Sequence, residues 1–222
     1  MPLWITLVVV AQLINAGVSL IDRYIVTSGK VGSPLRVAFY ISVLSSLSVL
    51  VFLVGLVPVS IGGVSVPSFA HVSIPTAEVL MLSLLSAVLF IGGLITLFES
   101  FRIAQASDVV PVVSSVSAVA TLLLSFYVLD TRLTDTFLWG FLFLVVGTFL
   151  VAKFRLTKRL VWLTVVSGVL FAAQVVVLKV LFIETAFDNA FFWSRIVTAV
   201  VACGLLLLPA ARAVRVLGKT RR

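Results

Sequence analysis

This chain is poor in nearly everything that soluble proteins use for chemistry. Charged residues fill 11% of its 222 positions, against about 25% in ordinary soluble domains. It has eight acidic residues, two methionines, one histidine and one cysteine. A lone cysteine excludes a disulfide within the chain, and no Cys/His set has zinc spacing. Cys203 lies inside an apolar run, so a buried, unreactive thiol is expected there. His71 has no second histidine or cysteine to share a metal with. A glycine-rich phosphate loop is missing, and so is a nucleophile with an evident base. Enzymatic activity, a cofactor, a metal and direct use of ATP are therefore not expected.

What is abundant is apolar length. Hydrophobic residues make up 62% of the chain, and the mean hydropathy is +1.30. A helix needs about 20 apolar residues to cross a hydrocarbon core about 30 Å thick. Seven stretches reach that length, near Leu3–Val26, Leu35–Val57, Thr76–Phe98, Ser107–Leu129, Thr134–Phe154, Leu160–Ile183 and Ala190–Pro209. Runs such as FLWGFLFLVVG do not alternate as barrel strands do. The expected fold class is all-α, a polytopic membrane protein of about seven transmembrane helices. The first stretch lacks a basic start and a small-residue cleavage pattern, so it reads as a span and not a leader. Residues 59–75 are rich in Gly, Ser and Pro and read as a loop.

The formal net charge is +8, but the basic residues cluster at the ends of apolar runs. That pattern fits an anionic membrane surface and not nucleic acid. If the seven spans alternate, one side of the bilayer receives every Lys and Arg except Arg132, Lys179 and Arg195. The positive-inside rule then puts the N-terminus outside and the C-terminus in the cytoplasm. Short loops suit a bacterial or archaeal plasma membrane.

Two parts of the chain repeat one another. Arg23 and Lys179 fall at matching places near the ends of the first and sixth spans. Phe39-Tyr40 and Phe192-Trp193 open the second and seventh. A five-span unit followed by its copy reverses direction in the membrane, which is the inverted repeat of secondary transporters. The organisation expected is residues 1–155 as a five-helix unit, and residues 156–222 as the first two helices of an inverted second unit.

Several landmarks resemble one family. Arg102-Ile103-Ala104-Gln105-Ala106-Ser107-Asp108-Val109-Val110-Pro111 is similar to the link between the third and fourth helices of EamA-type members of the drug/metabolite transporter superfamily. Leu129-Asp130-Thr131-Arg132-Leu133 resembles that family's acidic turn before the fifth helix, with Asp and an intervening Thr in place of Glu-Arg. Gly140 and Gly147 resemble the glycine pair of its fifth helix, and Phe192-Trp193-Ser194-Arg195 the aromatic-Arg opening of its seventh. Ser42 aligns with Arg195 in the first unit. The resemblance implies ten helices in two halves, of which this chain supplies one half and two helices. It also implies a secondary transporter of a small organic molecule (an amino acid, metabolite or drug) by alternating access. The alternative is a truncated or non-transporting membrane protein that needs partner helices or a second copy.

Polar side chains at membrane depth are the candidate substrate contacts, because they are costly there without a role. Gln12, Asn15 and Ser19 share one face of the first span, as residues i, i+3 and i+7 do. They line a path or hydrogen-bond a neighbouring helix. Gln174 stands in the sixth span, whose partner in the repeat is the first. A shared polar cavity between those two spans is the arrangement to look for. Lys179 snorkels to the interface or faces that cavity. Arg195 pairs with Asp188 or Glu184, or holds an anionic group with its planar fork of donors. Ser114, Ser115, Ser117, Thr121 and Ser125 favour close helix packing. Glu99 and Asp108 flank Arg102 as exposed partners. Ser107 and Asp108 fit an N-cap, and Pro111 either starts that helix or breaks one bond inside it.

Overall fold

Among the described residues, hydroxyl side chains cap the starts of three of the long helices. A computed structural model describes residues 3–28, 33–54, 60–61, 64–65, 67–129, 139–143, 146–147 and 157–205. Helix α1 spans Leu3–Thr27. Helix α2 spans Pro34–Ser46, with Pro34 in the first turn and the Ser33 hydroxyl accepting from the Arg36 amide. A 3-10 turn, Leu47–Leu50, and the short α3, Val51–Val54, carry it onward. Strands β1 (Ser60–Ile61) and β2 (Val64–Ser65) form one small antiparallel pair. Helix α4, Ala77–Ile103, begins at a Thr76 cap bonded to the Val79 amide, with Glu78 in its first turn and Arg102 in its last. Those charges complement the helix dipole. Helix α5 spans Ala106–Leu129, α6 spans Lys158–Glu184 from a Thr157 cap, and α7 spans Phe187–Leu205.

Among the described helices, five are long and apolar enough to cross a membrane: Ile5–Thr27, Pro34–Leu53, Ala77–Ile103, Ala106–Leu129 and Lys158–Glu184. Seven were expected. The stretch Thr134–Phe154 lies mostly outside the described residues. Helix α7 forms, but Asp188, Asn189 and Arg195 make its first half more polar than the other five.

Two local expectations change. Helix α5 starts before Ser107, so neither Ser107 nor Asp108 is its cap. The first bonds of the helix run from the Asp108 and Val109 amides to the Gln105 carbonyl. Pro111 lies inside α5, one turn from its start, where the missing N–H removes a helix bond. Cys203, expected to be buried, is exposed. Its neighbour Ala202 is the fully buried position, and a step of one residue turns a helical side chain by about 100°.

The largest helix contacts are α4 with α6, α5 with α6, and α4 with α7, followed by α2 with α7 and α4. Small residues permit the close crossings, since they let helix backbones approach. The Ser167 hydroxyl on α6 donates to the Gly93 carbonyl on α4 at 3.0 Å. A Cβ on Gly168 would lie 2.8 Å from Val116 and 2.9 Å from the Val113 carbonyl of α5. Ser115, the buried hydroxyl of α5, belongs to the same crowded helix.

Two apolar clusters occupy the two ends of the bundle. One joins Val37 and Ala38 of α2, Phe98 and Phe101 of α4, Val109 of α5 and Leu160 of α6. The other joins Val79 of α4, Leu181 of α6 and Ala190 of α7. Between them lies a belt of buried hydroxyls, including Ser42, Ser83, Ser86, Ser167, Ser194 and Thr198. The helix ends at the first cluster carry Arg36, Arg102, Lys158 and Arg159. The end at the second cluster carries Glu78, Glu184 and Asp188.

Candidate functional site

Among the described residues, Arg195 is the charged group farthest along its helix from either end. It stands eight residues after the first residue of α7, about 12 Å along the axis at 1.5 Å per residue. Its Nη1 donates to the Ser45 hydroxyl of α2 at 3.0 Å. Ser45 is eleven residues into α2 from the opposite end, about 16 Å along the axis. Counted from opposite ends, the two depths put this contact near the middle of the bundle.

No described carboxylate pairs with Arg195. Asp188, a candidate partner from the sequence, is engaged at the helix start, where it accepts from the Ser68 amide at 3.2 Å and from His71 Nδ1 at 3.0 Å. Arg195 is instead bonded to a neutral hydroxyl and lies over the Phe191 ring, 5.2 Å from its centroid. Its Nε is buried without a hydrogen-bond partner among the described residues. The Ser42 hydroxyl, one turn before Ser45 on α2, is fully buried and equally unpartnered. Sequence alignment of the repeats paired Ser42 with Arg195. The fold packs those two spans, α2 and α7, against each other.

Above this group lies an aromatic roof. Phe191 stacks on Phe52 at 6.1 Å and on Phe187 at 5.8 Å between centroids. Phe52, fully buried, also meets Phe69 and Phe192. The connection through residues 67–76 is tied down over the roof. Besides the Asp188 bonds, the Asn189 Oδ1 accepts from the Ser73 amide at 3.1 Å. Trp193 Nε1 donates to the Ser73 carbonyl at 2.9 Å. Sequence reading missed this latch, because His71 was weighed only as a metal ligand. The adjacent Asp188-Asn189 at a helix start was the available signal. Asp188→Ala should speed amide hydrogen exchange across residues 67–73 about fivefold, since it removes a carboxylate that accepts two bonds. Hydrogen exchange with mass spectrometry reads that directly.

The other candidate contacts do not gather around Arg195. Gln12 and Asn15 are exposed on α1, and none of that helix's most apolar stretch is buried. The Ser19 hydroxyl donates back to the Asn15 backbone carbonyl at 2.9 Å. Helix α1 leans mainly on α4, with smaller contacts to α5 and α2, and shares no extended interface with α6. Gln174 is half-buried on α6, and Lys179 is exposed. At the basic end, Glu99 pairs with Arg102 at 3.4 Å and with Arg159 of α6 at 2.9 Å. Asp108 is half-buried near the start of α5.

Comparison with protein-family models, curated proteins and solved structures finds no match. The functional reading therefore rests on this geometry and on the landmarks quoted above.

Proposed function

We propose that this protein is a secondary carrier, embedded in the plasma membrane, that moves a small organic molecule by alternating access. Its organisation is a five-helix unit of residues 1–155 followed by two helices of an inverted unit in residues 156–222, seven spans in all. The N-terminus faces outward, and the basic helix ends face the cytoplasm. The EamA-type landmarks support this reading. The observation that carries it is Arg195 at mid-depth between α2 and α7, without a carboxylate partner among the described residues. An uncompensated cation there is costly and marks a substrate path. The apolar cluster at one end and the tied connection at the other are candidates for the two gates.

Alternating access has a test that needs no knowledge of the substrate. In a Cys203→Ala background, Thr198→Cys puts one thiol on α7, one turn beyond Arg195. A membrane-impermeant maleimide should label it in intact vesicles and, separately, in inverted ones. A static bundle would expose it to one side or to neither, and labelling from one side alone would exclude the carrier.

A second reading has its own support. Gln12 and Asn15 are uncovered on α1, and amide side chains facing lipid lack the hydrogen bonds that a neighbouring helix supplies. In that reading α1 docks on partner helices or on a second copy. Disulfide crosslinking through Asn15→Cys in the same background would then trap a complex in native membranes.

A further inference from the structure

Resting on the carrier reading, we infer that Arg195 and Ser42 hold the carboxylate of an organic monoanion whose apolar body lies against Phe191. Three observations converge on this ligand class. The first is donor geometry. Ser45 occupies Nη1 of the guanidinium, while the Nε–Nη2 edge receives no bond from a described residue and its Nε is buried. That edge is a fork of two parallel N–H groups, the shape that accepts a carboxylate in a bidentate way. The second is the fully buried, unpartnered Ser42 hydroxyl on the facing helix. Buried hydroxyls normally have a partner, and a carboxylate oxygen between α2 and α7 supplies one.

The third is charge balance. Arg195 carries a single positive charge, and the other half-buried guanidinium with an unpartnered Nε, that of Arg23, stands about one turn from the end of α1. Lys179 is exposed on α6, and Arg36, Arg102 and Arg159 sit at helix ends. A monoanion gives a neutral complex at the midplane, where residual charge is expensive. A dianion would leave one negative charge uncompensated. The Phe191 ring under the guanidinium, with Phe52 and Phe187 stacked on it, offers an apolar surface on the side where the body of the ligand must lie. A lipid phosphate shares the anionic chemistry, but Arg195 is about 12 Å along α7 from its start, too deep for a headgroup.

The test uses the full chain in detergent with Cys203→Ala and Thr198→Cys, and follows the rate of maleimide labelling. Sodium benzoate and sodium hexanoate should each slow labelling about fivefold or more, as bound ligand excludes the reagent. Benzylamine, of similar size but opposite charge, should not. Inorganic phosphate should not. Arg195→Gln should abolish the benzoate effect. Arg195→Lys, which keeps the charge without the fork, should need about tenfold more benzoate. Equal protection by benzylamine or phosphate would overturn the inference. So would benzoate protection that survives Arg195→Gln in a monodisperse protein, or its absence from the parent. Two-sided labelling in vesicles without ligand judges the carrier reading separately, and it can succeed while protection fails.

Discussion

Arg195→Met should make this protein more stable and unable to bind an organic anion. The two effects have one cause. A guanidinium at mid-depth with one neutral hydroxyl partner and a buried, unbonded Nε carries an uncompensated desolvation cost. Replacing such a group by an apolar side chain of similar length stabilises by about 1–3 kcal/mol in comparable buried sites. For a chain of this size that is a rise of about 5 °C in the unfolding midpoint. Ser45, half-exposed on α2, can turn its hydroxyl back to its own helix carbonyls after the change. A purely structural Arg195, serving to pin α7 to α2, predicts the opposite sign. Thermal unfolding in detergent, read beside benzoate protection, separates the two. Gain of stability with loss of protection is the signature of a binding residue kept at the expense of the fold.

The second large effect concerns glycines, and its sign reverses along the chain. Gly168→Ala should destabilise by about 2 kcal/mol or more, because the new methyl meets the Val113 backbone carbonyl and the branch point of Val116, neither of which moves cheaply. Gly93→Ala should cost less. Its methyl would press on the Phe171 ring at 2.8 Å, a side chain that can rotate away. At Gly17 and Gly204 a Cβ meets nothing within 4 Å, and alanine there should stabilise by up to about 1 kcal/mol through helix propensity. Unfolding midpoints of the four variants test the order. Equal effects at Gly168 and Gly204 would mean that α5 and α6 do not cross as closely as 2.9 Å.

These glycines also mark where sequence reading stops. GLITLF and SGVLFA both read as uniformly apolar helix, and nothing in the local pattern says which glycine faces a neighbour. Contact depends on the rotation of each helix, and a helix that is apolar all round has no amphipathic stripe to fix it. The same ambiguity hid the direction of Cys203. It also left the stripe of Gln12, Asn15 and Ser19 legible as a face of α1 without saying what that face meets. Helix starts were easier. Ser33-Pro34, Thr76 and Thr157 are local signals, since a cap involves only the next three residues. The start of α5 misled because the helix begins at Ala106, after Gln105, and neither is a residue type that signals a cap.

The sequence by itself determined that this chain forms several apolar helices long enough to cross a membrane, with little charge to spare, because run length and hydropathy are read along the chain. The order of residues also placed most Lys and Arg at the ends of apolar runs. Tertiary structure decided which polar groups meet. The sequence offers Arg195 a partner on its own helix, Asp188, seven residues earlier. The fold gives Asp188 to His71 and the Ser68 amide, and turns Arg195 toward Ser45, 150 positions away. Such a pairing follows from how α2 and α7 cross, a long-range choice made by packing that no window of neighbouring residues contains.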